Sequence, residues 1–197
     1  MNLTIHIEGI TPLLQHNAQL SDPLNPFSIA HKKISGVTKK TEEHHAEMAH
    51  IEFLGGLYLM PDGETVAFNA EALMRCVRDA ATSFKAGKKI ERGTTWPTRR
   101  VPLLFPDAKL SLEQLWDKRG KDGVRVYENR QSMRNQMSRV MRTRPQFDVW
   151  AADVPVIIDE NVIELRDFER AVRIGGDLYG VGDSRSRGYG KFKATIG

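Results

Sequence analysis

The closing stretch of the chain constrains its architecture more than any other. Arg166 to Tyr179 reads as a helix, with Leu165, Phe168, Val172 and Tyr179 near one stripe. Tyr189 to Ile196 reads as a last strand. Across their junction, Gly175 to Phe192 holds six glycines and three basic residues in eighteen positions. Gly175 and Gly176 each weaken a helix by about 1 kcal/mol, so their place there predicts close packing on a sheet. The later glycines let the backbone take positive φ or come close to a ligand.

The first strand is as plain. Leu3, Ile5 and Ile7 alternate with Thr4, His6 and Glu8, and Pro12 ends or bends the run. Residues 16 to 40 read as a long, polar, turn-rich loop. Thr41 caps a short helix running to about Leu54, with Glu42 and Glu43 at its positive end and Gly55-Gly56 as its stop. Pro61-Asp62-Gly63-Glu64 lies between two apolar runs as a hairpin turn. Asn69 caps an amphipathic helix to about Phe84, with Leu73, Val77 and Ala80 on its inner face. Ala86 to Thr95 reads as a mobile loop, and Arg100 to Phe105 as an edge or irregular strand because of Pro102. One helical turn at Leu112 to Trp116 and a short strand at Val124 to Tyr127 precede a polar stretch from Asn129 to Arg139. Val140 to Ile158 reads as one long strand, bent near Pro145 or Pro155.

Stripped of its insertions, this order predicts an α+β chain with a ferredoxin-like (RRM-like) βαββαβ sheet and helices on one face. The expectation is a single domain over residues 1–197, with long insertions at about 16–56 and 106–139.

Hydrophobic residues make up 40% of the 197 and charged ones 27%, which is ordinary for a globular protein. No apolar run approaches the roughly 20 residues of a membrane helix, so no membrane partner is expected. The one cysteine, Cys76, allows neither an internal disulfide nor a cysteine-based zinc site, which suits a reducing cytoplasm. Charge is strongly segregated. Lys118 to Arg144 carries nine cations against Asp122 and Glu128, and Lys85 to Arg100 six against Glu91. With a total of +4, the rest of the chain is net negative. A polyanion-binding face requires such segregation.

Three groups of residues follow from this. In the tail, the amides of Gly180 and Gly182 form a candidate anion nest, with Arg185, Arg187 and Lys191 beside it. Arg185 and Arg187 alternate with serines, so both can point one way. On an extended Arg139–Phe147 segment, Arg142 and Arg144 share a face with Gln146 beyond them. Their spacing of about 6.6 to 6.8 Å approaches the phosphate repeat of an extended single strand. Lys32 and Lys33, Lys88 and Lys89, and Arg99 and Arg100 add cations on flanking segments, where Trp96 is placed to stack on a base. His16, His31, His44, His45 and His50 crowd the first insertion at no clean metal-ligand spacing, and none is assigned a catalytic role. No phosphate-binding Walker loop, nucleophile elbow, zinc-protease helix or EF-hand loop is present. No cofactor and no metal are expected.

Gly180, Gly182, Gly188, Tyr189, Gly190 and Phe192, between a C-terminal helix and a strand, resemble the glycine-rich loop of the RAMP superfamily. These are the RNA-binding, ferredoxin-fold proteins of CRISPR systems. The resemblance covers the terminal strands and the second helix, roughly a third of the chain. A large insertion after the first strand is similar to the Cas7-like backbone subunits that polymerise along a guide strand. The compact size is similar to stand-alone, phage-encoded relatives that coat single strands. The resemblance implies a cytoplasmic protein that binds single-stranded RNA or DNA without sequence preference and forms a homo-oligomer or a subunit of a ribonucleoprotein. The two other readings are a Cas6-like, metal-independent endoribonuclease and a structural subunit that binds no nucleic acid.

Overall fold

The computed structural model describes residues 1–135 and 138–197, so Gln136 and Met137 of the polar stretch lie outside it. It is a mixed α+β protein with antiparallel sheets and helices. In chain order the elements are β1 (Asn2–Gly9), β2 (Leu13–Leu14), α1 (Pro26–Ser35), α2 (Glu42–Gly56), β3 (Ala67–Asn69), α3 (Ala70–Ala81), α4 (Gly87–Gly93), β4 (Thr94–Thr95), β5 (Arg100–Pro102), α5 (Leu112–Asp117), β6 (Glu128–Asn135), β7 (Ser138–Phe147), β8 (Ala151–Ile158), α6 (Leu165–Ile174) and β9 (Phe192–Ile196). No helix among the described residues is long and apolar enough to cross a membrane.

The chain forms two compact units. The first comprises Met1–Leu13, Leu59–Ala108 and Phe147–Gly197, and the second Leu14–Tyr58 and Lys109–Gln146. The second unit is built from two separate stretches of chain.

The first unit is organised on β1. This strand pairs antiparallel with β8 on one side and β9 on the other, and β4 continues the sheet beyond β8. The register sets Ile5 opposite Val154 and Ile7 opposite Ala152, all four fully buried. The alternate positions face the open side, where His6 lies opposite Asp153. Helix α3 contributes buried Leu73, Cys76, Val77 and Ala80, and α6 contributes Phe168, Ala171 and Val172. These helices pack on each other. Burial pushes the Cys76 thiol up to about 12, so it stays an inert core group.

Past Ile174 the helix widens into a π-helical turn, Gly175–Tyr179. A Cβ on Gly175 would lie 3.0 Å from the Cys76 sulfur on α3, and one on Gly176 would lie 2.2 Å from the Phe192 carbonyl oxygen. Of the expected pair, Gly176 is the one that packs on the sheet, while Gly175 packs on a helix.

Several expected elements differ, each for a local reason. Residues 16–40 are not one long loop. Asn25 caps α1, its side chain accepting from the Phe27 amide at 2.9 Å, and Pro26 fits the first helical turn where no donor is needed. Gly55 and Gly56 do not stop α2 but form its last turn, buried where a Cβ would meet Leu20 at 2.6 Å and Pro145 at 2.8 Å. Ala86 to Thr95 is not a loop: it holds α4 and β4, the latter paired to β8. The helix after Asn69 is regular to Ala81, then tightens into a 3₁₀ turn at Thr82–Phe84. The long strand from Val140 to Ile158 is two strands, β7 and β8, broken at Asp148–Trp150. Trp150 accounts for the break. Its ring fills the space over Gly9, where a Cβ would lie 2.1 Å from its Nε1, and Nε1 donates to the Thr11 carbonyl at 2.9 Å.

Gly176→Ala is expected to cost about 1–3 kcal/mol, because the new methyl must displace backbone rather than a flexible side chain. Urea unfolding of the two proteins measures it. Equal midpoints would show that the sheet gives way freely at this contact.

Candidate nucleic-acid interface

Strands β6 and β7 form a hairpin whose register pairs Asn129 with Arg144, Gln131 with Arg142 and Met133 with Val140. Opposed residues share a face in an antiparallel pair. One face therefore presents Arg142 and Arg144 with Asn129, Gln131 and Gln146. Asn129 donates to the Gln146 side-chain oxygen at 2.6 Å. The other face carries Arg130, Ser132, Met141 and Arg139. Arg139 is exposed but lies on the face opposite Arg142 and Arg144.

A cleft of about 310 Å³ lies within the second unit, lined by His16, Ser28, His31, Glu52, Arg142 and Arg144 among others. Helices α1 and α2 pack on each other and supply His31 and Glu52. On α2 the buried positions are Ala49, Glu52, Phe53, Gly55 and Gly56, so a carboxylate occupies the apolar stripe. That carboxylate is held from three sides. Arg142 donates to Oε1 at 2.6 Å and the Thr143 amide donates to Oε2 at 2.7 Å. The His31 Nε2 lies 3.3 Å from Oε1. Burial alone would push the Glu52 carboxyl up. The hydrogen bonds from His31, Thr143 and Arg142 outweigh it and hold the group below the usual carboxylate value.

Glu52 thereby fixes the guanidinium of Arg142 at the cleft. Arg142 is half-exposed, whereas Arg144 is buried to 9% exposure. Two arginines and two imidazoles against one carboxylate leave a pocket suited to an anion such as a phosphate oxygen.

The four-stranded sheet is not the seat of these arginines, as a strand running from Val140 to Ile158 would have made it. Its open face carries His6 between two carboxylates, Asp153 Oδ1 at 2.6 Å from Nδ1 and Glu8 Oε1 at 3.3 Å from Nε2. The Asp153 hydrogen bond, with Glu8 second, raises the His6 pKa. Carboxylates at this face disfavour a phosphate chain.

The glycine tail is put to a different use from the one its composition suggests. The Gly180 amide donates to the Gly175 carbonyl at 2.7 Å, and the Val181 amide to the Gly190 carbonyl at 2.9 Å. Gly190 donates in turn to the Pro12 carbonyl at 2.9 Å, and Thr11 Oγ1 to the Gly188 carbonyl at 2.8 Å. Gly180 is buried at φ 74°, and a Cβ on Gly190 would lie 1.8 Å from the Val181 carbonyl oxygen. The amide nest expected at Gly180 is thus occupied by the protein's own carbonyls. Gly182 is exposed at φ 78°. Arg185 and Arg187 are exposed on a 3₁₀ turn rather than an extended segment. At three residues per turn, positions two apart point about 120° apart, so the two do not point one way. The Lys191 ammonium donates to the Leu178 carbonyl.

The remaining cations are dispersed. Lys32 and Lys33 are exposed on the last turn of α1, where their charge suits the helix C-terminus. Lys88 and Lys89 are exposed on α4. Arg99 Nε lies 3.3 Å from Glu71, and Arg100 donates to the Leu59 carbonyl at 2.6 Å. Trp96 is half-buried, its Nε1 donating to Thr94 Oγ1 at 3.1 Å. Of the expected site residues, Lys32, Lys33, Arg139, Arg142 and Arg144 belong to the second unit and the rest to the first.

Other histidines have structural tasks. His44 closes the capping box of α2 with Thr41, and His50 stacks on Trp116 at 5.0 Å. A comparison with protein-family models and with curated proteins gives no match for the chain.

The Glu52 pKa is lowered on folding, so its contribution to stability is fully present above the ordinary value of 4.5 and is lost as pH falls through the folded value. Glu52→Gln is expected to cost about 1–3 kcal/mol at neutral pH and to flatten the acid limb of the stability curve. Denaturant midpoints taken from neutral pH down to acid check both. An unchanged acid limb would remove Glu52 from the electrostatics of the unit.

Proposed function

We propose that this chain binds single-stranded nucleic acid without sequence preference and oligomerises along it, as a Cas7-like member of the RAMP superfamily. The observation that carries the reading is the hairpin face with Arg142 and Arg144 flanked by Asn129, Gln131 and Gln146. Guanidinium groups grip phosphate oxygens in any sequence, and the amides beside them can hydrogen-bond base edges or sugars. The Glu52 carboxylate lowers the entropy lost on binding by holding Arg142 ready.

Support for the ferredoxin-like assignment comes from the first unit. Taking β1, α3, β4, β8, α6 and β9 as a βαββαβ series, the sheet order β4-β8-β1-β9 with antiparallel neighbours is the order such a fold requires. The glycine segment between α6 and β9 supports the superfamily assignment on its sequence pattern.

Mobility shifts with labelled oligonucleotides at several salt concentrations test the binding. The paired exchange Glu52→Gln with Arg142→Gln removes the cation without stranding a buried carboxylate. It is expected to reduce the salt slope by about 0.7, the value for one phosphate contact on a single strand. Adding Arg144→Gln brings the reduction to about 1.4. Absence of binding to any single strand at low salt, or an unchanged slope in the variants, would reject this reading.

A second reading is favoured by one observation: His16 and His31 line the same cleft as both arginines. An imidazole beside a cation is the minimum for metal-independent RNA cleavage through a 2′-hydroxyl. In chelator, cleavage of hairpin RNA to cyclic-phosphate ends that His31→Ala abolishes would establish it. Intact RNA with the native protein would dismiss it.

A further inference from the structure

A second candidate surface lies in the first unit, along the free edge of its sheet. Strand β9 is an outer strand, bonded only to β1. Thr4 and Gly197 exchange both backbone hydrogen bonds, at 2.8 and 3.1 Å, and Ile10 donates to Lys191 at 2.7 Å. Antiparallel pairs alternate, so Lys193 and Thr195 also turn their backbone groups toward β1. The N–H and C=O of Ala194 and Ile196 therefore point outward, and neither has a partner among the described residues. Phe192 also points outward, but Gly176 closes over its carbonyl.

A groove of about 750 Å³ runs between this edge and α6. Arg166, Arg170 and Arg173 line it from the helix, while Lys193, opposite Glu8, turns its side chain to the open face of the sheet. Positions i, i+4 and i+7 lie on one helix face, so the arginines form a line beside the strand. Arg166 is paired with Glu164 at 2.7 Å, and the Arg170 guanidinium sits over the Phe84 ring at 4.5 Å. Arg173 is exposed, with no partner among the described residues. Two carboxylates, Glu169 and Asp177, share the groove with the three arginines. The floor is apolar, from Val172, Phe192 and Ile196.

We propose that this edge accepts an extended acidic peptide segment as a fifth strand of the sheet. The backbone chemistry selects a peptide. Alternating outward N–H and C=O groups match another strand, which donates and accepts in turn, whereas a phosphodiester only accepts. The arginine line selects acidic side chains at alternate positions of the incoming strand, over an apolar floor. A second copy of β9 pairing edge to edge would bring the arginine lines of both copies together, which like charge opposes. This surface stands independently of the nucleic-acid reading, since it uses none of the cleft residues.

The test titrates the full chain with a short fluorescein-labelled peptide alternating valine or threonine with glutamate, followed by anisotropy at low salt. Saturable binding is expected, with slowed amide exchange at Ala194 and Ile196. Arg166→Glu with Arg173→Glu is expected to weaken it by more than about 10-fold. Ala194→Pro removes one outward donor at a position where β1 needs none, and is expected to abolish binding with oligonucleotide binding unchanged. A version of the peptide with lysine in place of glutamate should not bind. Absence of binding, undiminished binding to the proline variant, or unprotected Ala194 and Ile196 amides would each overturn the proposal. So would displacement by oligothymidine or self-association through this edge, which would assign the groove to a phosphate chain or to a second copy.

Discussion

A single buried carboxylate organises the second unit. Glu52 sits on the inner stripe of α2, yet it meets the His31 imidazole of α1 at 3.3 Å and accepts from β7 through both the Thr143 amide and the Arg142 side chain. The β7 edge explains why a carboxylate is needed. The Pro145 carbonyl there is taken by the Gln15 amide at 3.0 Å, but the Thr143 amide two residues back meets α2 instead of a strand. A buried donor without an acceptor costs 1–3 kcal/mol or so. A carboxylate satisfies it and still has an oxygen left for Arg142. Two helices and a hairpin are thus tied at one point, and that point is also where the guanidinium is aimed.

The glycine segment has the equivalent place in the first unit, as a latch rather than a grip. Its chain leaves α6 through a widened turn, doubles back at Gly180, and ties to Thr11 and Pro12 just past β1. That closure sets where β9 begins and hence its register on β1. Glycine is required at Gly176 and Gly190 because backbone oxygens occupy the space of any Cβ. Composition alone does not separate an amide held out for a ligand from one bonded within the loop. The distinction rests on contacts with Pro12 and Thr11, nearly the whole chain length away.

Legibility follows the same division between local and distant causes. The first strand, the α3 and α6 helices and the caps at Thr41 and Asn69 are local patterns, and the structure has them. The face shared by Arg142, Arg144 and Gln146 is a matter of strand parity and is likewise local. The α1 helix was also readable, since Asn25-Pro26 is a cap followed by a first-turn proline. A loop over residues 16–40 has no stripe, whereas on α1 His31 falls on one stripe with Phe27 and Ile34. Glu52 leaves a comparable trace as an acid three residues after Ala49 and four before Gly56, beside Phe53. What carried no local signal was the break at Asp148–Trp150. The residues there read as strand, and only the Trp150 ring over Gly9 interrupts them.

That break decides how charge is distributed. With β7 and β8 as one strand, the arginines of the first half would have lain on the same sheet as Asp153 and Glu8. With the break, Arg142 and Arg144 lie on a hairpin whose opposed residues are neutral amides, and the carboxylates keep to the open face of the other sheet. Each cation on the hairpin then acts at short range, where a phosphate would meet it, without a like number of fixed anions on the same strands. Strength of attraction to a polyanion depends on this local surplus more than on the net +4 of the chain. Among the described residues that line the cleft, Glu52 is the one carboxylate, buried and hydrogen-bonded on both oxygens, and it orients Arg142.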